Sequence, residues 1–368
     1  MPKEKTNSNI RVLMLMKDSM IGGVASCVSS LSYGLKKYKG IDTIIGTSNG
    51  ESVGGMLKEY VNIIDFGSKN IFTIIKNYKD IKTLIKKNNV NVIHAQNRIP
   101  AFYAAFYCFF HKNVKYIWSN HLVPLPSDFI HRTLTLYGSC AVAEGIEGKR
   151  MLIEDFHINQ NKVEAVNLGV DFDSFKKSSI SDQIGLKTKY EIKPDEKIIL
   201  LYGRLAPVKG HDFLLDSLAS LSDKSFRLVF PGENDEYKKH IIEKAETIGI
   251  ANKIIFPGYI DGSQWLSIAD LMVLPSKQEG FGIENVESFV MGVPVIRTKT
   301  AGYEDMKDLC FGVDYGDIHG LELLLKDFFD GNDKFKKIQE YAKNNCQRFS
   351  LKAYTEGYYN IYDRVINK

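Results

Sequence analysis

Two glutamates, Glu279 and Glu287, stand eight positions apart on either side of a glycine-rich turn. Gly280 and Gly282 lie between them, and the apolar run 271–274 before them has the length of a buried strand. Glycines let the backbone bend sharply and approach a ligand closely. The stretch therefore predicts a strand, a tight loop and a helix, and an open α/β sheet binds its ligands where such loops leave the strand ends.

The predicted helix begins near Ile283, repeats apolar residues at helical spacing and stops at Gly292, before Pro294. Its first turn has unpaired N–H groups and the positive end of the helix dipole, which suit a phosphate. Glu279 falls in the loop and Glu287 inside the helix. The two carboxylates cannot share one helical face, so we expect them to hold different hydroxyl-bearing parts of one ligand.

A second loop carries two cations after the strand-like run Lys197 to Tyr202. Arg204 and Lys209 lie in the segment from Gly203 to Gly210 and could clamp a diphosphate. The guanidinium fork would bridge oxygens and the ammonium would act as a point charge. For such a pair alone, two solvated loop cations are the ordinary alternative.

These segments resemble the retaining glycosyltransferases of the GT-B architecture, in particular glycosyltransferase family four, the group 1 enzymes. The resemblance covers the E-x7-E motif, with Glu279, Phe281 and Glu287 in register and Gly292-Val293-Pro294 after it. The segment 203–210 is similar to the family's diphosphate-binding segment, G-R-x-x-x-x-K-G.

The resemblance implies an α/β fold with two Rossmann-like domains facing each other across a cleft. We place an acceptor-side domain at 1–176, a linker at 177–196 and a nucleotide-sugar domain at 197–350. The predicted helix 351–368 would cross back to the N-terminal domain. The first half supports this division, because strand-like runs alternate there with candidate helices, as in β-α-β units.

The family also implies roles for the residues of the second half. Arg204, Lys209 and Glu279 would be catalytic: the two cations would stabilise the departing diphosphate, and Glu279 would contact the donor sugar. Glu287 would hold the ribose. The complete set expected to bind the donor is Gly203, Arg204, Lys209, Gly232, Tyr259, Ile260, Glu279, Gly280, Phe281, Gly282, Ile283 and Glu287.

On the acceptor side the expected residues are Gly22, Gly23 and His94, and His121 would be the catalytic histidine. The glycine pair lacks the G-x-G-x-x-G spacing of a dinucleotide-binding loop, so it could serve either a substrate or only a turn. Each histidine follows a predicted strand, where the alternative is a structural loop histidine. Ser119-Asn120-His121 is a loose version of the family's T-x-H sequence.

Composition narrows the class of protein. The chain has 368 residues, and a hydrophobic fraction of 44% is typical of a globular protein. The net charge of +4 does not by itself indicate nucleic-acid binding. Five scattered cysteines without C-x-x-C spacing indicate reduced thiols. We expect a cytoplasmic protein, at most peripheral on the inner face of the plasma membrane.

Two segments of the first half bear on membrane contact. Residues 70–89 predict a basic amphipathic helix, which could lie on an anionic membrane, although packing against the sheet with solvated lysines is the preferred interpretation. Residues 101–110 are aromatic all round, and we expect them to be mostly core.

We predict transfer of a sugar, with retention, from a nucleotide-diphosphate donor to a glycan or lipid-linked acceptor. A UDP-sugar is favoured as donor, and no metal or other cofactor is expected because the two cations would replace one. Leu168 departs from the family's N-G-V-D signature, since asparagine is expected before Gly169. This departure and the loose histidine motif leave a sugar-nucleotide-binding subunit without turnover as an alternative. An epimerase or phosphorylase of the same fold is a further alternative.

Overall fold

The computed structural model describes residues 10–17, 23–48, 61–67 and 70–367, and Gly22 lies outside them. The chain divides into two compact units. Unit 1 comprises residues 1–169 and 349–368, and unit 2 comprises residues 170–348. The segment predicted as a linker belongs to unit 2, where it contains a helix, Ile180–Lys189.

Unit 1 is built on a parallel sheet. Its strands, as far as the chain is described, are β1 Val12–Met16, β2 Thr43–Thr47, β3 Val61–Ile63, β4 Val92–Ala95, β5 Lys115–Asn120, β6 Cys140–Ala143 and β7 Val163–Ala165. They lie in the order β3-β2-β1-β4-β5-β6-β7. The order reverses between β1 and β4, and such a reversal is where doubly wound sheets bind ligands.

Helices cover both faces of this sheet. They are α1 Gly23–Gly34, α2 Ile71–Lys87, α3 Arg98–Phe110, α4 Phe129–Thr133, α5 Gly145–Glu154 and the last helix of the chain, α14 Leu351–Ile366. One core cluster joins α1 and α14 to β1, and another joins α2 and α3 to the opposite face. The return of the C-terminal helix to the N-terminal unit confirms that part of the predicted fold.

Unit 2 repeats the plan with a second parallel sheet. Its strands are β8 Lys197–Leu200, β9 Phe226–Val229, β10 Ile254–Ile255, β11 Leu271–Leu274, β12 Val295–Thr298 and β13 Phe311–Val313, in the order β10-β9-β8-β11-β12-β13. The reversal lies between β8 and β11. The two predicted ligand loops follow these two neighbouring strands.

The helices of unit 2 are α6 Ile180–Lys189, α7 His211–Leu218, α8 Asp235–Thr247, α9 Gly262–Leu266, α10 Ile283–Met291, α11 Tyr303–Met306, α12 Ile318–Phe329 and α13 Lys334–Asn345. A separate core cluster of this unit includes Leu214, Phe230 and Val273. The strands are almost continuously apolar because a parallel sheet is buried on both faces.

The prediction that residues 101–110 are mostly core is only half right. α3 buries Ala101, Tyr103, Ala104 and Tyr107 but leaves the phenylalanines of its other face exposed. Within the described residues, no helix combines the length and the apolar character needed to cross a bilayer.

Candidate functional site

The site in unit 2 lies where the loops after β8 and β11 meet. Gly210 has a φ of +77°, and a Cβ there would lie 1.9 Å from the carbonyl oxygen of Pro275. Only glycine fits such a close approach. The backbone N–H of Lys277 also donates to the carbonyl of Val208 at 2.8 Å. The two loops are therefore held together along their backbones.

Lys209 is brought by this contact to the carboxylates of the other loop. Its Nζ lies 2.7 Å from Oε1 of Glu279 and 3.7 Å from Oε1 of Glu284. The Ser276 hydroxyl also donates to Glu279, at 2.5 Å. Burial lowers the pKa of Lys209, but the Glu284 and Glu279 carboxylates outweigh burial and raise it. The ammonium is thus a fixed, buried positive charge.

Glu284 is a site residue that the sequence did not single out. It lies in the first turn of α10, and burial raises its pKa although Lys209 opposes the effect. Two carboxylates therefore share one lysine. A diphosphate entering here would compete with both of them for the ammonium.

Glu287 lies one turn further along α10. Burial, with the Glu284 carboxylate second, raises the pKa of Glu287 to about 8. Its Oε2 is shielded from solvent and has no hydrogen-bond partner among the described residues. A buried oxygen without a partner costs free energy, so this one is available to a ligand hydroxyl. Burial, with the Glu287 carboxylate second, raises the pKa of the neighbouring Tyr202 phenol.

A buried arginine holds the loop before α10 by hydrogen bonds to backbone carbonyls. Arg297 is fully buried and donates to the carbonyls of Phe281 at 3.2 Å and Ala301 at 2.8 Å. Gly302 packs so closely that a Cβ there would lie 2.2 Å from the Phe281 oxygen. Phe281 is itself 2% exposed. Its side chain is therefore core, and the donor-contact role predicted for it can rest only on its backbone.

Gly282 is the residue that turns this loop into the helix. It has a φ of +81° and caps α10, whose first N–H groups are thereby presented at the strand edge. Gly280 and Ile283, on either side, are part-exposed. The predicted glycine loop followed by a helix start is thus observed, and its use as an anion site stays a prediction.

The remaining donor residues lie around these loops. Arg204 is exposed on the β8 loop, and Gly203 packs against the methylene groups of Lys209. A cavity of about 510 Å³ lies after β9 and β10 and is lined by Gly232, Glu233, Asn234, Asp235, Lys238, Phe256 and Gly258. Tyr259 is exposed and Ile260 part-exposed; neither lines it.

In unit 1, His121 lies one residue beyond β5 and contacts two oxygen-bearing side chains. Its Nδ1 is paired with Oε1 of Glu144, and its Nε2 lies 2.7 Å from Oε1 of Gln96. With this amide orientation each ring nitrogen faces an oxygen of a neighbouring side chain, so the imidazole is held on both sides. Gln96 follows β4 and Glu144 follows β6, so three neighbouring strands build this cluster.

Cys27 completes the cluster from α1. Its thiol donates to Oε1 of Glu144 at 3.4 Å, and burial together with that carboxylate raises the pKa of Cys27 well above its usual value. The ligand atoms of Cys27, His121 and Glu144 lie within 4.8 Å of one another, a set of ligands that zinc accepts. The expectation that no metal is required stays a prediction.

His94 does not lie where the sequence placed it. It is inside β4 rather than past the strand end, is fully buried, and contacts the Tyr362 hydroxyl at 2.8 Å and the Ser119 hydroxyl at 2.7 Å. Burial lowers its pKa to about 3, so the ring is neutral. These contacts correct the acceptor-side assignment, because His94 joins α14 to the sheet. Of the glycine pair, Gly23 begins α1.

Two parallel, doubly wound domains with this site define the class of protein, and comparison with known families agrees. The model described as "Glycosyl transferases group 1" matches residues 182–345, and "Glycosyltransferase Family 4" matches residues 21–174. The chain belongs to the group 1 glycosyltransferases of family four, which confirms the resemblance seen in the sequence.

Curated relatives match parts or most of the chain. Mannosylfructose-phosphate synthase of Agrobacterium fabrum is 29% identical over 187 residues, which cover 47% of this chain and 41% of that protein. The match thus spans less than half of that relative. A 41.2 kDa protein in the cps region of Klebsiella pneumoniae is 26% identical, over 77% of this chain and 81% of its own.

Solved structures confirm the GT-B fold. A glycosyltransferase from Rickettsia africae ESF-5 is 26% identical, with a TM-score of 0.88 over 97% of this chain and 98% of that chain. Anabaena HepE in complex with UDP and glucose is 18% identical, with a TM-score of 0.82 over 96% of this chain and 100% of that chain. The second likeness shows the fold alone.

Proposed function

We propose that this chain is a retaining hexosyltransferase that moves a sugar from a nucleoside-diphosphate donor to a hydroxyl of a glycan or lipid-linked acceptor. A UDP-sugar is the favoured donor, and cell-surface polysaccharide synthesis is the favoured setting. The solved neighbour with UDP supports the first preference, and the relative from a cps region supports the second.

Glu287 is the observation that carries the proposal. Its shielded, unpartnered oxygen lies on the helix whose N-terminus meets the loop of Lys209. A ribose diol would supply the missing donors, and the diphosphate would lie between the helix start and the ammonium. The cavity at Gly232 would receive the base. A nucleoside diphosphate accounts for all three features with one ligand.

Lys209 and Arg204 supply what bond cleavage needs. Negative charge builds on the phosphate oxygen as the sugar leaves, and the buried, fixed ammonium of Lys209 would stabilise it strongly. The guanidinium of Arg204, exposed on the β8 loop, would add a second cation. Retention follows if the acceptor hydroxyl attacks from the leaving-group face and gives its proton to the departing phosphate. His121, held by Glu144 and Gln96, keeps its proposed catalytic role. The cations serve in place of a metal.

A thermal-shift screen across UDP-, GDP- and ADP-sugars tests the donor, because a ligand selective for the folded state raises its Tm. Release of sugar from the protective donor, with and without EDTA, then tests turnover and the metal-free mechanism. Protection without any hydrolysis or transfer would instead indicate the binding-subunit alternative. No protection by any sugar nucleotide would refute the proposal.

A further inference from the structure

The side of unit 1 formed by α2 and α3 exposes an unusual number of large apolar side chains. Phe72 is 81% exposed and Phe109 66% exposed. The α2–α3 face is defined by Ile71, Phe72 and Ile75 of α2 and by Phe102, Phe106, Phe109 and Phe110 of α3. Contiguous exposed apolar surface of this kind marks an interaction site, whereas single exposed apolar residues do not.

Ring contacts join the four exposed phenylalanines of α3 into one row. Phe106 stacks on Phe102 at 6.5 Å and meets Phe110 edge-on at 5.5 Å, and Phe109 meets Phe110 at 5.0 Å. Tyr78 of α2 lies 5.2 Å from Phe106, which ties the two helices together. The aromatic row thus runs along the outer side of α3 and continues onto α2.

The charges around the face decide what covers it. Residues 70–116 contain eight lysines and arginines and one acid, Asp80, while the whole chain has a net charge of only +4. Two copies of the chain meeting at this face would bring their lysines together, which disfavours self-association. An anionic surface attracts the same lysines while it receives the phenylalanines.

The end of α3 adds a groove beside the aromatic row. A cavity of about 370 Å³ is lined by Ala105, Cys108, Phe109, Lys112, Val114, Lys115, Tyr116, Gly138 and Ser139. The Lys112 ammonium lies 5.0 Å over the Phe109 ring. Apolar walls with two ammonium groups at the rim suit a lipid whose headgroup carries a phosphate.

We propose that the α2–α3 face binds the surface of an anionic phospholipid bilayer, with the phenylalanines in the interfacial region and the lysines among the headgroups. Only the role of this membrane binding rests on the proposed function: it would hold the enzyme where a lipid-linked acceptor is found. Vesicle binding itself requires neither donor nor turnover.

The test is co-sedimentation of the full chain with vesicles of phosphatidylcholine alone or of equimolar phosphatidylcholine and phosphatidylglycerol. We expect binding to the anionic vesicles only, weakened by salt. The variant F109S/F110S should bind anionic vesicles at least about tenfold more weakly than the wild type, because it loses apolar contact without loss of charge. The matched control is I180S/I184S on α6, where Ile180 is 76% exposed, and it should bind like the wild type.

Three results would overturn the proposal. F109S/F110S could bind as well as the wild type, or the wild type could bind uncharged vesicles equally well. Alternatively, the wild type could form a dimer in light scattering that F109S/F110S dissociates, which would show that a second copy covers the face. Each variant's Tm and its protection by UDP-sugar are measured in parallel. If UDP-sugar does not raise the Tm of the wild type, the proposed function is contradicted, but the vesicle result is unaffected.

Discussion

At the scale of single residues, the ionisation of Glu287 is the property most open to measurement. Its carboxyl keeps its proton near neutral pH because burial, and in second place the neighbouring Glu284 carboxylate, disfavour the ionised form. A ribose diol donates hydrogen bonds and so favours the ionised form. Donor binding should therefore expel a proton from this group.

The first prediction concerns E287Q. In the wild type the folded carboxyl has a raised pKa, so the contribution of Glu287 to folding stability is fully present below about pH 4.5 and is lost as the pH rises toward 8. E287Q should flatten this decline and be more stable at pH 9 by on the order of a few kcal/mol. Tm across this pH range measures the effect.

The same variant should bind UDP-sugar more weakly and without the proton release that calorimetry in buffers of different ionisation enthalpy detects in the wild type. E287D is the control that keeps the charge. Unchanged proton release in E287Q would show that another group accepts the ribose.

The second prediction concerns the support of His121. E144Q removes the carboxylate that faces Nδ1 and leaves a neutral side chain of similar size. We expect kcat to fall about tenfold to a hundredfold, as for other groups that orient a reacting side chain, with little change in donor KM. The chemical shift of the His121 Nδ1 should change, because that nitrogen loses its carboxylate partner. C27A removes only the thiol donor and should keep both the kcat and the chemical shift of the wild type. A fall in the kcat of E144Q without a change in that shift would contradict the positioning role.

Residue spacing predicted part of this site and could not predict the rest. Glu279 and Glu287 were recognisable because their motif is local. Glu144 and Gln96 lie more than twenty positions from His121, and only the order of β4, β5 and β6 brings them together. His94 was misplaced because the end of β4 was set two residues too early, which is enough to turn an edge residue into a core residue.

At the scale of secondary-structure elements, the meeting of the β8 and β11 loops is a backbone property. The third prediction compares two glycines with similar φ. G210A adds a methyl group 1.9 Å from the Pro275 oxygen, whereas G249A, at φ +71°, has nothing within 4 Å. G249A should cost about 1–2 kcal/mol, and G210A should cost more because the loops must separate.

Urea unfolding measures the two costs, and UDP-sugar protection measures the site. We expect G249A to keep the protection and G210A to lose it. Equal costs in the two variants, with protection retained in both, would mean that the loop contact does not organise the site.

Elements were predicted best where apolar periodicity was strong. The start of α14 was predicted at its observed first residue, Leu351, while the three-residue strands β3, β7 and β13 were not predicted because so short a run carries no period. α6 was overlooked in a polar stretch taken for a linker. Its capping signal was present, since the Ser179 hydroxyl accepts from the backbone N–H of Asp182.

At the scale of the whole molecule, the C-terminal helix makes unit 1 dependent on residues far away in the sequence. α14 buries Leu351, Tyr354, Tyr358, Ile361, Tyr362 and Val365 in the core that holds β1. Each such side chain is worth about 1.5–3 kcal/mol. Their sum is on the order of 10 kcal/mol, which is comparable to the whole stability of an ordinary domain.

The fourth prediction follows from this dependence. Removal of residues 349–368 should unfold unit 1, because the Tyr358 and Tyr362 hydroxyls that satisfy Ser119 and His94 leave together with the apolar surface. Unit 2 should stay folded, since its core cluster lies entirely within residues 199–335. Hydrogen exchange read by mass spectrometry should show fast exchange in β1, β4 and β5 and continued protection in β8 and β11. UDP-sugar should still slow exchange in the β8 and β11 loops.

The control Y359F alters a side chain at the edge of the same core and should leave both units protected. Slow exchange in β1 of the truncated chain would show that the sheet of unit 1 is stable without its last helix.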